Sequence, residues 1–79
     1  MLREGFECDL PNILSETGVK QKKLCELTGL KPSAMSAIVR GETDPPTTTS
    51  IIIAEFFGKR VEDIWKRKNN FDLNVNIYD

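Results

Sequence analysis

The sequence predicts a mainly α fold, one small domain of five short helices with a C-terminal β-strand tail. Three observations carry this. The stretch Val19 to Gly41, VKQKKLCELTGLKPSAMSAIVRG, reads as two short helices broken at Gly29, which can take the left-handed conformation that ends a helix and turns the chain. Apolar residues recur at helical spacing around it, in Leu10, Ile13 and Leu14 before and in Ile53, Ala54 and Phe57 after. From Phe71 the period changes: Phe71, Leu73, Val75 and Ile77 alternate with Asp72, Asn74, Asn76 and Tyr78, the signature of a strand.

In chain order, residues 1–8 are an N-terminal arm or short strand, with Leu2, Phe6 and Cys8 sharing one parity. Asp9 can cap a first helix that tolerates Pro11 in its first turn and ends near Gly18. In the second helix Leu24, Cys25 and Leu27 face inward. The third begins at Pro32, whose fixed φ suits a first turn and whose missing N–H would have no partner there, and Met35 and Ile38 face the core. Gly41 to Thr49, GETDPPTTT, has the composition of a loop. Ser50 to Phe57 is a fourth helix closed by Gly58; Ser50, Ile53, Ala54 and Phe57 share its inner face, and Ile51, Ile52 and Phe56 leave the rest of its circumference apolar. Val61, Ile64 and Trp65 are the apolar set of a short fifth helix, with Trp65 in the core and Lys66, Arg67 and Lys68 as a basic last turn. Helical structure thus occupies residues 9–68, and residues 69–79 form the tail strand. Its partner is either Leu2 to Cys8 of the same chain or the same tail of a second chain.

Composition narrows the function. A chain of 79 residues is one small domain, burying about 60 to 65% of the surface its unfolded form exposes, so dimerisation would add useful stability. Cys8 and Cys25 are too few for a disulfide framework, and the chain has no histidine and no paired-cysteine metal spacing. No metal, cofactor or catalytic arrangement is expected, and hence no enzyme. No apolar run is long enough to cross a membrane and the N-terminus carries Glu4, Glu7 and Asp9 rather than a basic leader, so the expectation is a reduced, cytoplasmic, non-exported protein with no membrane partner. Net charge is −1, but it is unevenly spread: Gly18 to Gly41 holds Lys20, Lys22, Lys23, Lys31 and Arg40 against Glu26 alone, a net +4, which leaves −5 on the remainder. Such polarity points one face at DNA, the alternative being a solvated helix face.

The two central helices start alike. Val19, Lys20 and Leu24 repeat as Leu30, Lys31 and Met35: an apolar residue, a lysine at the N-cap, and an apolar residue at the spacing of a hydrophobic staple. Lysine is a poor cap. Ser, Thr, Asp or Asn would contribute about 1 kcal/mol there, and the helix dipole disfavours a cation. A phosphate backbone across both N-termini would turn these lysines and the free N–H groups into anion ligands; the bland alternative is solvated surface lysines.

These residues resemble the helix-turn-helix domains of the lambda-repressor, Cro and Xre type, from about Leu10 to Trp65. The resemblance rests on Gly18, Val19 and Gln21, on the turn Thr28-Gly29-Leu30, on Ser36, Ile38 and Arg40-Gly41, and downstream on Pro45, Ile53-Ala54 and Phe57-Gly58. It implies a five-helix lambda-repressor-like domain that binds double-stranded DNA sequence-specifically as a transcriptional regulator. Two departures stand out. Such domains commonly pair a basic residue at the position of Leu14 with an acid at that of Val39, whereas both are apolar here. They often carry a basic residue after the position of Gly41, where this chain has Glu42 and, further on, Asp44.

On this reading helix 32–40 enters the major groove. Ser33, Ser36, Ala37 and Arg40 fall on one face, where serine can bond several bases, alanine can touch a thymine methyl and Arg40 meets phosphate. With Lys20, Gln21, Lys31 and Pro32 they make the expected DNA-contacting set. Ile52, Phe56, Phe71, Leu73, Val75 and Ile77 make the expected dimerisation set, for a homodimer acting as a repressor. Two alternatives remain open. One is an antitoxin of the same fold, binding a toxin and its own promoter; the other is a protein-interaction module that has lost DNA binding.

Overall fold

The computed structural model describes residues 6–67. In chain order these form β1 (Phe6–Cys8), α1 (Leu10–Thr17), α2 (Gln21–Thr28), α3 (Pro32–Val39), α4 (Thr47–Phe57), α5 (Val61–Ile64) and β2 (Trp65–Arg67). The fold is thus the expected mainly helical one. At eight residues each, α1, α2 and α3 are too short to persist alone and are held by tertiary packing of their apolar faces.

That packing makes one core. α1 supplies Leu10 and Ile13, α2 Leu24, α3 Met35, Ile38 and Val39, α4 Ile53 and Ala54, α5 Ile64 and β2 Trp65. α2 packs against both α3 and α4, so the helix carrying Lys20 at its cap is fixed relative to the helix expected to read DNA. Cys25 and Leu27 are half-buried against this core. So is Leu14, while Val39 is buried within it, so the two positions where such domains commonly carry an ion pair both serve the core, as their apolar residues predict. Replacing an ion pair in this way need not cost stability.

Four details differ from the sequence reading. α4 begins at Thr47, three positions before Ser50. Pro46 occupies its N-cap, Ser50 donates its backbone N–H to the Pro46 carbonyl and its hydroxyl to the Thr47 carbonyl (2.7 Å), and Thr49 and Ser50 are buried. The threonine run, loop-like by composition, is therefore the first turn of a helix, braced by the Ser50 hydroxyl.

α5 is also shorter than expected, and Lys66 and Arg67 belong to a strand instead of a basic helical turn. β2 pairs antiparallel with β1 in the register Phe6↔Arg67, Glu7↔Lys66 and Cys8↔Trp65. The N-terminal strand thus takes its partner from residues directly after α5; the tail strand expected at residues 69–79 lies outside the described residues. Arg67 lies over the Phe6 ring at 4.9 Å, a cation–π contact on the same sheet face.

Asp9 stands at the N-cap of α1 without a side-chain bond to the backbone. Its carboxylate accepts from the Asn12 side chain (2.8 Å) and pairs with Lys66 (3.4 Å), tying β2 to the start of α1. The Asn12 hydrogen bond, then Lys66, hold the Asp9 carboxyl below the usual carboxylate range. A carboxylate depressed in the folded state adds stability above its ordinary range and loses it as pH falls through the lowered value. Trp65 is core as expected, at 8% exposed, although its buried indole N–H has no hydrogen-bond partner among the described residues.

Candidate nucleic-acid interface

The two helix starts headed by lysine are built by one local device used twice. Thr17-Gly18-Val19-Lys20 and Thr28-Gly29-Leu30-Lys31 repeat the pattern Thr-Gly-apolar-Lys. In each copy the threonine hydroxyl donates to the carbonyl four residues back, Ile13 at 2.7 Å and Leu24 at 2.8 Å. The same oxygen accepts the N–H two residues on, from Val19 and from Leu30, both at 3.3 Å. The glycines then turn the chain at φ 76° and 77°, and each lysine follows in extended conformation as an N-cap. A Cβ at Gly29 would meet no atom within 4 Å, so backbone strain, not space, is what favours glycine there.

The result is a pair of N-termini headed by exposed lysines with no side-chain cap. The Lys20 carbonyl accepts from Lys23 N–H and the Lys31 carbonyl from Met35 N–H, both at 3.0 Å. The preceding amides of Gln21, Lys22, Ser33 and Ala34 make no hydrogen bond among the described residues. An uncapped positive dipole end with outward N–H groups and an adjacent cation has the chemistry of a phosphate site.

The face of α3 is as the spacing predicted. Pro32 and Ser33 are exposed and Ser36 and Ala37 half-buried, while Met35, Ile38 and Val39 are buried on the opposite side. Gln21 is half-buried at the first position of α2, next to Lys20.

Arg40 behaves differently from the expectation of an outstretched phosphate ligand. Its guanidinium is closed on Glu42 through two bonds, Nε to Oε2 at 2.8 Å and Nη2 to Oε1 at 3.0 Å. A third bond runs from Nη1 to the Ser36 hydroxyl oxygen at 2.6 Å. The Glu42 carboxylate raises the Arg40 pKa, and Arg40 in turn holds the Glu42 carboxyl below its usual range. The clamp is therefore intact at neutral pH and opens only as pH falls through that lowered value. Glu42 stands where the resemblance suggests a basic residue; its fork-to-fork grip on Arg40 depends on side-chain geometry that no spacing rule reveals.

On α4, Ile52 and Phe56 are 37% and 41% exposed, with Ile51 at 43%. These are the large apolar side chains the core leaves uncovered among the described residues. Lys22 and Lys23, outside the expected DNA-contacting set, line a shallow groove with Phe56.

The chain belongs to the helix-turn-helix family, whose model matches residues 15–64. That match spans the device from Thr17 through α5 and supports a DNA-binding transcription regulator, a fold not typically enzymatic. No curated protein matches the sequence. Among the described residues no helix is long and apolar enough to cross a membrane.

Proposed function

We propose that this chain is a sequence-specific repressor of transcription that acts in the cytoplasm, binds double-stranded DNA as a homodimer and does no catalysis. The reading rests above all on the duplicated N-termini: Lys20 and Lys31 each head an uncapped helix, and the exposed face of α3 lies directly beyond the second. Phosphates meet Lys20, Gln21 and Lys31 with the free amides, which positions α3; Pro32 sets the approach of its first turn. Ser33, Ser36 and Ala37 then meet base edges in the major groove.

In this reading Arg40 reaches phosphate only by leaving Glu42. Replacing Glu42 with glutamine is expected to tighten binding severalfold on all duplexes and to steepen the salt dependence by up to about one unit of log–log slope. A slope identical to wild type would show that Arg40 never reaches the backbone.

Two copies are needed because one short reading face specifies few base pairs. Two-fold dimers of such domains place their reading helices about 34 Å apart, one helical turn of DNA. Residues 9–68 serve as the DNA-binding unit and residues 69–79 as the dimerisation tail, with Phe71, Leu73, Val75 and Ile77 joined by Ile52 and Phe56 of α4. Selection from random duplex DNA at two salt concentrations tests the assignment. Wild type should return a two-fold symmetric site, and substitutions at Ser33 or Ala37 should change its preferred base pairs. If neither changes the site, α3 does not read the bases.

The exposed α4 face also favours a second reading, an antitoxin that holds a toxin there and binds its own promoter. A short toxin-like reading frame beside the gene would favour it over the repressor.

A further inference from the structure

Ile52 and Phe56 stand one turn apart on the same side of α4. Phe56 forms one wall of a groove of about 450 Å³ whose remaining lining is Val19, Lys20, Lys22, Lys23 and Glu26. Lys22 and Lys23 make no ion pair among the described residues, and neither contributes to the core. The groove thus joins an apolar wall to three ammonium groups against one carboxylate.

We propose that this groove seats residues 71–79 of a second copy of the chain, with alternate apolar residues on Ile52 and Phe56 and the carboxylate of Asp72, on the opposite face of the strand, between Lys22 and Lys23. The inference rests on the homodimer proposed above and specifies its interface. The segment FDLNVNIYD carries two acids and no cation, so its charge complements the groove. Spacing agrees as well: alternate residues of an extended strand lie about 6.6 Å apart, and one turn of helix from Ile52 to Phe56 advances about 6 Å. Seating the tail on Lys22 and Lys23 leaves Lys20 to phosphate, so the dimer remains competent for DNA. Each copy gives one tail and receives one, the reciprocal arrangement that a two-fold axis requires.

Sedimentation of the full chain without DNA tests this. Lys22→Glu with Lys23→Glu changes two exposed positions of α2, and circular dichroism confirms that the helices are kept. Reversing both lysines in each of two seats replaces attraction to Asp72 by repulsion, and the dimer should weaken on the order of tenfold. Adding Asp72→Lys to the same chain should restore it. If the reversed lysines dimerise like wild type while deletion of residues 71–79 gives monomers, the tail dimer stands and the groove is not its seat. Failure of the threefold variant to recover likewise overturns the pairing. A full chain that is monomeric at every concentration overturns the homodimer itself.

Discussion

Deleting residues 71–79 is expected to leave the helices folded, convert the homodimer to a monomer and weaken binding to the selected operator at least tenfold. The fold should survive because the described residues already form a core of ten buried apolar side chains, from Leu10 to Trp65, and β1 finds its partner in β2. Binding should weaken because a joined second domain meets its half-site at a high effective concentration, so loss of the joint removes far more affinity than any one contact. Sedimentation gives the mass of the full and truncated chains, and far-ultraviolet circular dichroism gives their helix content. Identical masses would end the tail's role in dimerisation, and an unfolded truncation would instead make the tail part of the monomer's own sheet.

The helices of the reading unit were legible because their signals are local. Gly18, Gly29 and Gly58 each close a helix in left-handed conformation, Pro32 opens one, and the inward stripes of α1, α2 and α3 follow the helical period. Placement of Lys20 and Lys31 at N-caps needed no more than the same spacing. The first turn of α4 was hidden by residue type: a Pro-Pro-Thr-Thr-Thr run has loop composition, and only packing buries Thr49 and Ser50. β2 was hidden by length and charge, since Trp65, Lys66 and Arg67 are too few to show alternation and two of them are cations. Strand pairing is non-local, so Cys8 opposite Trp65 is a fact of the fold and not of either segment. The repeated Thr-Gly-apolar-Lys device was present in the sequence. Its apolar-Lys half and the Thr28-Gly29-Leu30 turn are legible, but spacing does not reveal that both threonines anchor their turns by bonding back into the preceding helix. The grip of Glu42 on Arg40 could not be read, because an arginine two residues from a glutamate has many equally short-range alternatives.

Replacing Lys20 and Lys31 together with serine should separate stability from binding, moving them in opposite directions. Both lysines cap helices without a side-chain bond to the backbone. A serine in the same extended conformation can accept an amide N–H of the first turn, which is worth about 1 kcal/mol at each helix, and it removes a cation from the positive dipole end. Urea denaturation should therefore show a higher midpoint with an unchanged slope. DNA binding should fall on every duplex alike, since phosphate contacts carry no sequence information, and the log–log salt slope should shrink by up to about 2 as two neutralised phosphates are lost. The preferred site should stay the same, because Ser33, Ser36 and Ala37 are untouched. A more stable variant with undiminished affinity would mean that phosphate lies elsewhere and that the lysines are ordinary surface charge. A variant that instead changes its preferred base pairs would move the lysines from the backbone to the bases, and α2 would then have to enter the groove beside α3.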